Sequence, residues 1–236
     1  MSAPSHRPSR ERSADDLPHV SHAMEDYLKA AYRLKMDGKP ATTQLLADEL
    51  GVSGPSVTNM VKRLDEMRLV RHTRYQGVEL TPAGEKIALE VVRHHRLLEL
   101  YLAETLGYPW DQVHDEAEKL EHHVSDELEA RMDLFLGFPT RDPHGDPIPS
   151  RDGVVPEDTD LLLADLEDGL PAIVVRVSDR DPVQLRYLAE LGLIPGAQVT
   201  ILERLPFDEL TRIEVGALTH VIGRQLSRSV WVERPE

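Results

Sequence analysis

Thr42-Thr-Gln-Leu-Leu-Ala-Asp-Glu-Leu50-Gly51-Val-Ser53-Gly-Pro55-Ser56-Val-Thr58-Asn59-Met-Val-Lys62-Arg63-Leu64 is the stretch whose reading decides the fold. Its first part, about 42–50, turns Leu45, Leu46 and Leu50 inward and stops at Gly51. Its second part opens on Ser53, a residue type that caps helices through its hydroxyl, and carries Pro55 in the first turn, where a missing N–H does no harm. Val57, Met60, Val61 and Leu64 then recur at helical spacing as a buried stripe. Two short helices joined by Gly51-Val-Ser53 have the spacing of a helix-turn-helix, whose second helix enters the DNA major groove by its N-terminal end.

The flanks complete the pattern. Upstream, Tyr27, Leu28, Ala31, Tyr32 and Leu34 share a broad face of a helix that Gly38 and Pro40 end. Downstream, Leu69–His72 and Val78–Leu80 bracket the turn Tyr75-Gln76-Gly77 and predict a hairpin, and Thr81-Pro82 opens another helix. Helix, helix, helix, hairpin, helix is the order of a winged helix-turn-helix. A long helix is expected over 82–106, ended by Gly107, and a further one over 112–136, ended by Gly137. From Pro171 the pattern is β, with segments 173–177, 198–202, 211–215 and 229–232 and one short helix over 182–191. The expected fold is mainly α: a winged helix-turn-helix domain, a helical dimerisation domain and a small all-β, SH3-like barrel at the C-terminus. The expected divisions are a disordered tail over 1–21, the DNA-binding domain over 22–88, the helical metal-binding domain over 89–140, a linker over 141–168 and the barrel over 169–236.

Composition narrows the function classes. The 236 residues include no cysteine, so disulfides, thiolate zinc sites, iron–sulfur clusters and cysteine catalysis are excluded. No apolar run approaches a membrane span of about 20 residues, and no signal peptide is evident, so a soluble cytoplasmic protein is expected. The net charge of −15 is unevenly spread. Residues 1–80 carry 12 Lys/Arg against 11 Asp/Glu, whereas residues 81–236 carry 15 against 31. The DNA-reading end is thus near neutral and the acid lies downstream, as a solvated surface or as a cation-binding site.

On the second helix of the motif, Ser53, Pro55, Ser56, Thr58 and Asn59 lie at the end that meets DNA. Small hydroxyls and helix N-terminal N–H groups suit phosphate, Asn59 is long enough for a base edge, and Pro55 suits a thymine methyl. Lys62, Arg63, Arg71 and Arg74 are candidates for phosphate along the helix and wing.

The downstream acid contains a pattern. His114, Glu118, Glu121 and His122, at about 100° per residue, fan over a helix face about 100° wide. His95 and Glu99 share a face of the preceding helix at i and i+4. Helices joined by a short loop pack antiparallel, so the two faces can meet. Imidazoles and carboxylates are the donors a divalent first-row metal needs.

Several strings resemble the diphtheria-toxin-repressor family of iron- and manganese-dependent regulators: Met24-Glu-Asp-Tyr-Leu28, Ser53-Gly-Pro-Ser-Val57, Leu80-Thr-Pro-Ala-Gly84, His95-Arg-Leu-Leu-Glu99, His114 to His122, Ser125-Asp-Glu127 and Gly145-Asp-Pro-Ile-Pro149. Leu188 to Gly196 resembles the ferrous-transport-A, SH3-like module of its longer members. The resemblance implies a primary metal site of Asp26, Glu118, Glu121 and His122, an ancillary site of His95, Glu99 and His114, and Asp179 as a carboxylate lent by the C-terminal module. Iron-type members have Met and Cys where this chain has Asp26 and Glu118, so the resemblance implies Mn²⁺ or Fe²⁺ with a lean toward Mn²⁺, and Zn²⁺, Co²⁺ or Cd²⁺ as substitutes. Lys29 stands where short manganese regulators carry a Glu, which removes one carboxylate.

The implied function is a metal-dependent DNA-binding regulator, in the manner of a repressor of manganese or iron homeostasis genes, acting as a homodimer on palindromic double-stranded operator DNA without a membrane partner. Two other readings are a winged-helix regulator sensing a small organic ligand and a metallohydrolase. The second lacks a His-Glu-x-x-His motif or a separate general base, and no enzymatic activity is expected.

Overall fold

The computed structural model describes residues 20–73, 77–157, 159, 161–207 and 209–235. The expected tail over 1–21 and the hairpin turn with Arg74 fall largely outside them. The chain divides into two compact units, Met1–Ile87 and Ala88–Glu236.

The first unit contains α1 (His22–Met36), α2 (Thr43–Leu50), α3 (Gly54–Glu66), β1 (Val70–Thr73), β2 (Gly77–Leu80) and the start of α4 (Pro82–Leu106). Thr42 caps α2 and Ser53 caps α3 through their side chains, and Gly51 ends α2 in the left-handed region at φ 63°. Met24, Leu28, Leu46, Val57, Val61 and Leu64 are buried. β1 and β2 pair antiparallel from Val70↔Leu80 to Thr73↔Gly77, and Val78 bridges back to Ala41. Helix α4 begins against β1: the Thr81 hydroxyl donates to the Leu69 carbonyl, and Gly84 lies so close to that carbonyl that a Cβ would collide with it. Gly84→Ala is therefore expected to destabilise this unit by about 1–3 kcal/mol, read by urea unfolding followed by circular dichroism.

The second unit continues α4 and adds α5 (Val113–Leu120), a 3₁₀ turn (Glu121–His123), α6 (Asp126–Phe135), β3 (Pro171–Val177), α7 (Pro182–Glu190), β4 (Gln198–Arg204), β5 (Leu210–Val215), β6 (Leu218–Gly223), the short α8 (Arg224–Ser227) and β7 (Val230–Glu233). Leu98, Leu102, Val113, Ala117 and Met132 form the core where α4 and α5 meet. The strands make one antiparallel sheet in the order β6-β5-β4-β3-β7, over a core that includes Leu163, Val174, Leu188, Ile201 and Ile213. Among the described residues no helix is long and apolar enough to cross a membrane.

Three sequence expectations need correction. The single helix over 112–136 is broken. α5 ends at Leu120, Val124 is extended, and Ser125 caps a new helix by accepting from the Leu128 N–H. Strand β6, between Gly216 and α8, was not among the expected β segments. The 141–168 stretch is more than a connection: Asp142, His144, Ile148, Leu163 and Leu166 within it are buried. Gly145, at φ 91°, brings it so close to the Val175 carbonyl that no side chain would fit.

Candidate functional site

On the first unit, Ser53, Pro55, Ser56, Thr58, Asn59, Lys62, Arg63 and Arg71 are all exposed. Three of the hydroxyls also serve α3 itself. Ser53 accepts from the Ser56 N–H, the Ser53 and Ser56 hydroxyls lie 2.8 Å apart, and Thr58 donates to the Gly54 carbonyl. These bonds fix the first turn of the helix, whose free N–H groups suit an anion. Asp26 lies on α1 and is half-buried.

In the second unit a chain of alternating imidazoles and carboxylates runs through the interior. His95 Nδ1 lies 2.5 Å from Glu121 Oε2, and its Nε2 lies 2.9 Å from Glu99 Oε1. His114 Nδ1 lies 3.1 Å from the same Glu99 oxygen, 3.1 Å from His95 Nε2 and 3.4 Å from Asp179 Oδ2, while its Nε2 is 3.6 Å from Glu118. His122 Nε2 is 3.5 Å from Glu121 Oε1. The break after Leu120 therefore separates residues that one continuous helix would have kept on a single face. His114 and Glu118 stay together on α5, and Glu121 turns inward to His95. Neighbouring His94 is held by the Glu121 carbonyl and by Glu129.

Two site residues were missed in the sequence. Glu99, Asp142 and His144 offer donor atoms within 4.8 Å of one another, and all three residues are buried. Asp142 Oδ1 accepts from the His144 and Asp146 N–H groups, which shapes the loop. His144 Nε2 donates to the Trp110 carbonyl at 2.8 Å, and the two rings lie 5.5 Å apart. Trp110 itself packs against the core of the β-sheet module. On the other side of the His144 ring, Nδ1 faces Glu99 Oε2 at 4.0 Å, too far for a hydrogen bond. Among the described residues both atoms are buried without a partner. Buried polar atoms are nearly always satisfied, and two donors at this separation can each lie about 2.0–2.2 Å from one cation.

The charges agree with that geometry. Burial, then the nearby Asp146 and Glu99, push the Asp142 carboxyl well above the usual range, with Arg96 opposing. Burial would also raise Glu99, but the imidazoles of His95 and His114 outweigh it and hold it well below. Burial would lower His114, yet hydrogen bonds to Asp179, Glu118 and Glu99 push it up to about 11. His114 is thus an imidazolium at neutral pH, a counter-charge for its carboxylates.

A winged helix with an exposed recognition face, in a chain whose second unit carries a buried, sulfur-free cluster of carboxylates and imidazoles, defines a metal-dependent DNA-binding regulator. The comparisons with known proteins agree along most of the chain. Residues 19–78 match the family described as iron dependent repressor, N-terminal DNA binding domain; residues 81–150 match its metal binding and dimerisation domain; residues 161–234 match the FeoA domain. The chain belongs to the iron-dependent, diphtheria-toxin repressor family, in its form with a C-terminal FeoA domain. It is 34% identical over 222 residues to the iron-dependent repressor IdeR of Mycobacterium tuberculosis, covering 89% of this chain and 96% of that one. It is 34% identical over 225 residues to the diphtheria toxin repressor of Corynebacterium glutamicum, covering 90% and 96%. Among solved structures it is similar to a manganese-dependent transcriptional repressor in complex with manganese (TM-score 0.84, 41% identity, 90% of this chain and 100% of that one). It is also similar to ScaR with bound Cd²⁺ (TM-score 0.78, 33% identity, 90% and 99%). These relatives are repressors, and the chain is a regulator and not an enzyme.

Proposed function

We propose that the chain is a cytoplasmic, Mn²⁺-responsive repressor that binds palindromic operator DNA as a homodimer. The observation that carries the metal reading is the pair of buried, unpartnered atoms, Glu99 Oε2 and His144 Nδ1, facing each other beside Asp142. These three residues would hold one divalent ion, with Asp179 of the C-terminal module joined to the same centre through His114. The set of His95, Glu99 and His114 that the resemblance implies also offers donor atoms within 4.8 Å of one another and shares Glu99 with this one. Glu121 and His122 would hold a second ion, and the family resemblance adds Glu118 and Asp26 to them. Carboxylates and imidazoles without sulfur favour Mn²⁺ or Fe²⁺ over softer ions.

The ions supply positive charge to a unit rich in carboxylates and couple its state to the DNA-reading helix. That coupling is reciprocal, so operator DNA must tighten metal binding by the same factor. Dimerisation draws support from α6 and the turn after it, where Leu134, Phe135 and Phe138 are 64–67% exposed. A two-fold dimer would set two α3 helices one turn of DNA apart, about 34 Å.

Gel-shift titration of operator DNA tests the reading. Mn²⁺ is expected to drive binding, EDTA to abolish it and Zn²⁺ to substitute less well. Binding that ignores EDTA would favour an organic effector instead. Asp26→Asn is expected to loosen metal control of DNA binding; wild-type metal-dependent affinity in that variant would remove Asp26 from the switch.

A further inference from the structure

We infer that Asp65 is a positioning residue for DNA binding: through the backbone of the wing it sets where Arg71 meets the operator. The inference rests on the DNA reading of α3 and the wing, and extends it to a residue whose own charge is wrong for DNA. Three observations carry it. First, Asp65 lies in the last turn of α3, and its Oδ1 accepts from the backbone N–H of His72 in β1 at 3.1 Å. Second, His72 stands opposite Val78 in the hairpin, and the Val78 N–H donates to the Ala41 carbonyl at 3.0 Å. One rung of the wing is thus pinned from both sides, to the end of α3 and to the residue ahead of Thr42, the cap of α2. Third, the Asp65 backbone is itself fixed, because its carbonyl accepts from the Arg68 N–H at 2.9 Å.

The two pins differ in kind. The one at Ala41 joins backbone to backbone and survives a change of side chain. The one at Asp65 depends on a single carboxylate oxygen. The wing has only two strands, so β1 has a strand neighbour on one side alone. A two-stranded hairpin is marginal in water and takes its orientation from what holds it. Arg71, the candidate phosphate contact, is exposed, directly precedes His72 and moves with that strand. Electrostatics alone would give Asp65 the opposite role. It is exposed on the helix that meets DNA, where a carboxylate repels phosphate. Removing a charge that only repels tightens binding, whereas removing a pin weakens it. The sign of the effect separates the two roles.

The test uses the full-length, Mn²⁺-loaded chain and a duplex that the wild type selects from random-sequence DNA, with affinity followed against salt. Asp65→Ala is expected to bind about 5–10-fold more weakly near 0.1 M salt and to lower the salt slope by about one, as for one lost phosphate contact. Asp65→Asn keeps the accepting oxygen and drops the charge. It should bind at least as tightly as the wild type, with the full slope. Arg71→Ala should cost the wild type the same step in slope and add nothing in Asp65→Ala, because the two act through one contact. Amide hydrogen exchange in the free protein reads the pin directly. The His72 amide should be protected in the wild type and in Asp65→Asn, and lose that protection in Asp65→Ala. Alanine favours the helix more than aspartate does, so Asp65→Ala is expected to fold. Binding by Asp65→Ala as tight as the wild type or tighter, an Asp65→Asn variant that fails as alanine does, or losses that add with Arg71→Ala would overturn the inference. An unprotected His72 amide in the wild type would overturn it with no variant needed. A wild type that selects no DNA would overturn the DNA reading itself, so the two failures are distinguishable.

Discussion

His144→Leu is expected to lower the number of tightly bound Mn²⁺ ions per chain by one and to weaken binding at its own position by about 100-fold or more. Leucine fills the space of the ring but offers no donor to pair with Glu99 Oε2. The carboxylates of Glu99 and Asp142 would then be left buried together, with Asp146 adding its charge. Calorimetry in buffers of different ionisation enthalpy provides a companion reading. Asp142 is pushed well above the carboxylate range by burial and by its acidic neighbours, which favours its protonated form. A cation binding there favours the ionised form instead and displaces protons from the carboxyl. The wild type should release protons on taking up Mn²⁺, and Asp142→Asn should release fewer. Equal Mn²⁺ affinity and stoichiometry in wild type and His144→Leu would remove His144 from the site.

The largest expected effect on stability lies elsewhere on α4, at Arg93. Arg93 is 5% exposed, with Nε 2.6 Å from Glu129, one terminal nitrogen 2.8 Å from Asp133 and the other donating to the Pro149 carbonyl at 2.7 Å. Arg93→Ala leaves the buried Glu129 carboxylate with its longer contacts to Arg151 at 3.3 Å and His94 at 3.4 Å and takes a donor from the buried Pro149 carbonyl, and breaking such a pair costs about 3–5 kcal/mol. Urea unfolding should show the loss. The double variant Arg93→Met, Glu129→Leu should recover part of it, because an apolar pair does not strand a charge. Burial tends to raise the Glu129 carboxyl, but its hydrogen bond and ion pair with Arg93, with help from Arg151, hold it below the usual range. Its contribution is therefore complete above the ordinary carboxylate range and fades as pH falls through the lowered value. Acid should narrow the gap between wild type and Arg93→Ala; a gap that stayed constant down to acid pH would argue against this pair as its source.

Periodicity made part of this molecule legible. The DNA-reading unit could be read because each helix in it announces its ends: Thr42 and Ser53 cap, Gly51 stops, and the leucines and valines between them keep a helical period. His95, Glu99 and His114 were legible for the same reason, since α4 and α5 are regular where those residues sit. Regularity also misled. The continuous helix drawn through Glu121 and His122 overlooked Ser125, whose hydroxyl followed by Asp126 and Glu127 is an ordinary helix start. His144 and Asp142 had no period to betray them, because Pro143, Gly145, Pro147 and Pro149 surround them and read as a connection. The available signal was chemical: Asp142-Pro-His144-Gly-Asp146 places three ligand-type side chains at every second residue of a rigid loop. The edge strand β6 escaped because its exposed Leu218 and Val221 blur the alternation that marks a half-buried strand.

Trp110 joins two matters that a domain diagram would keep apart. Its indole sits against the sheet module's interior while its carbonyl anchors the ring of His144. Cutting the chain ahead of residue 161 would strip that indole of its cover and unsettle the imidazole it steadies. In a chain cut there, the pocket around His144 would lose part of its support together with the module.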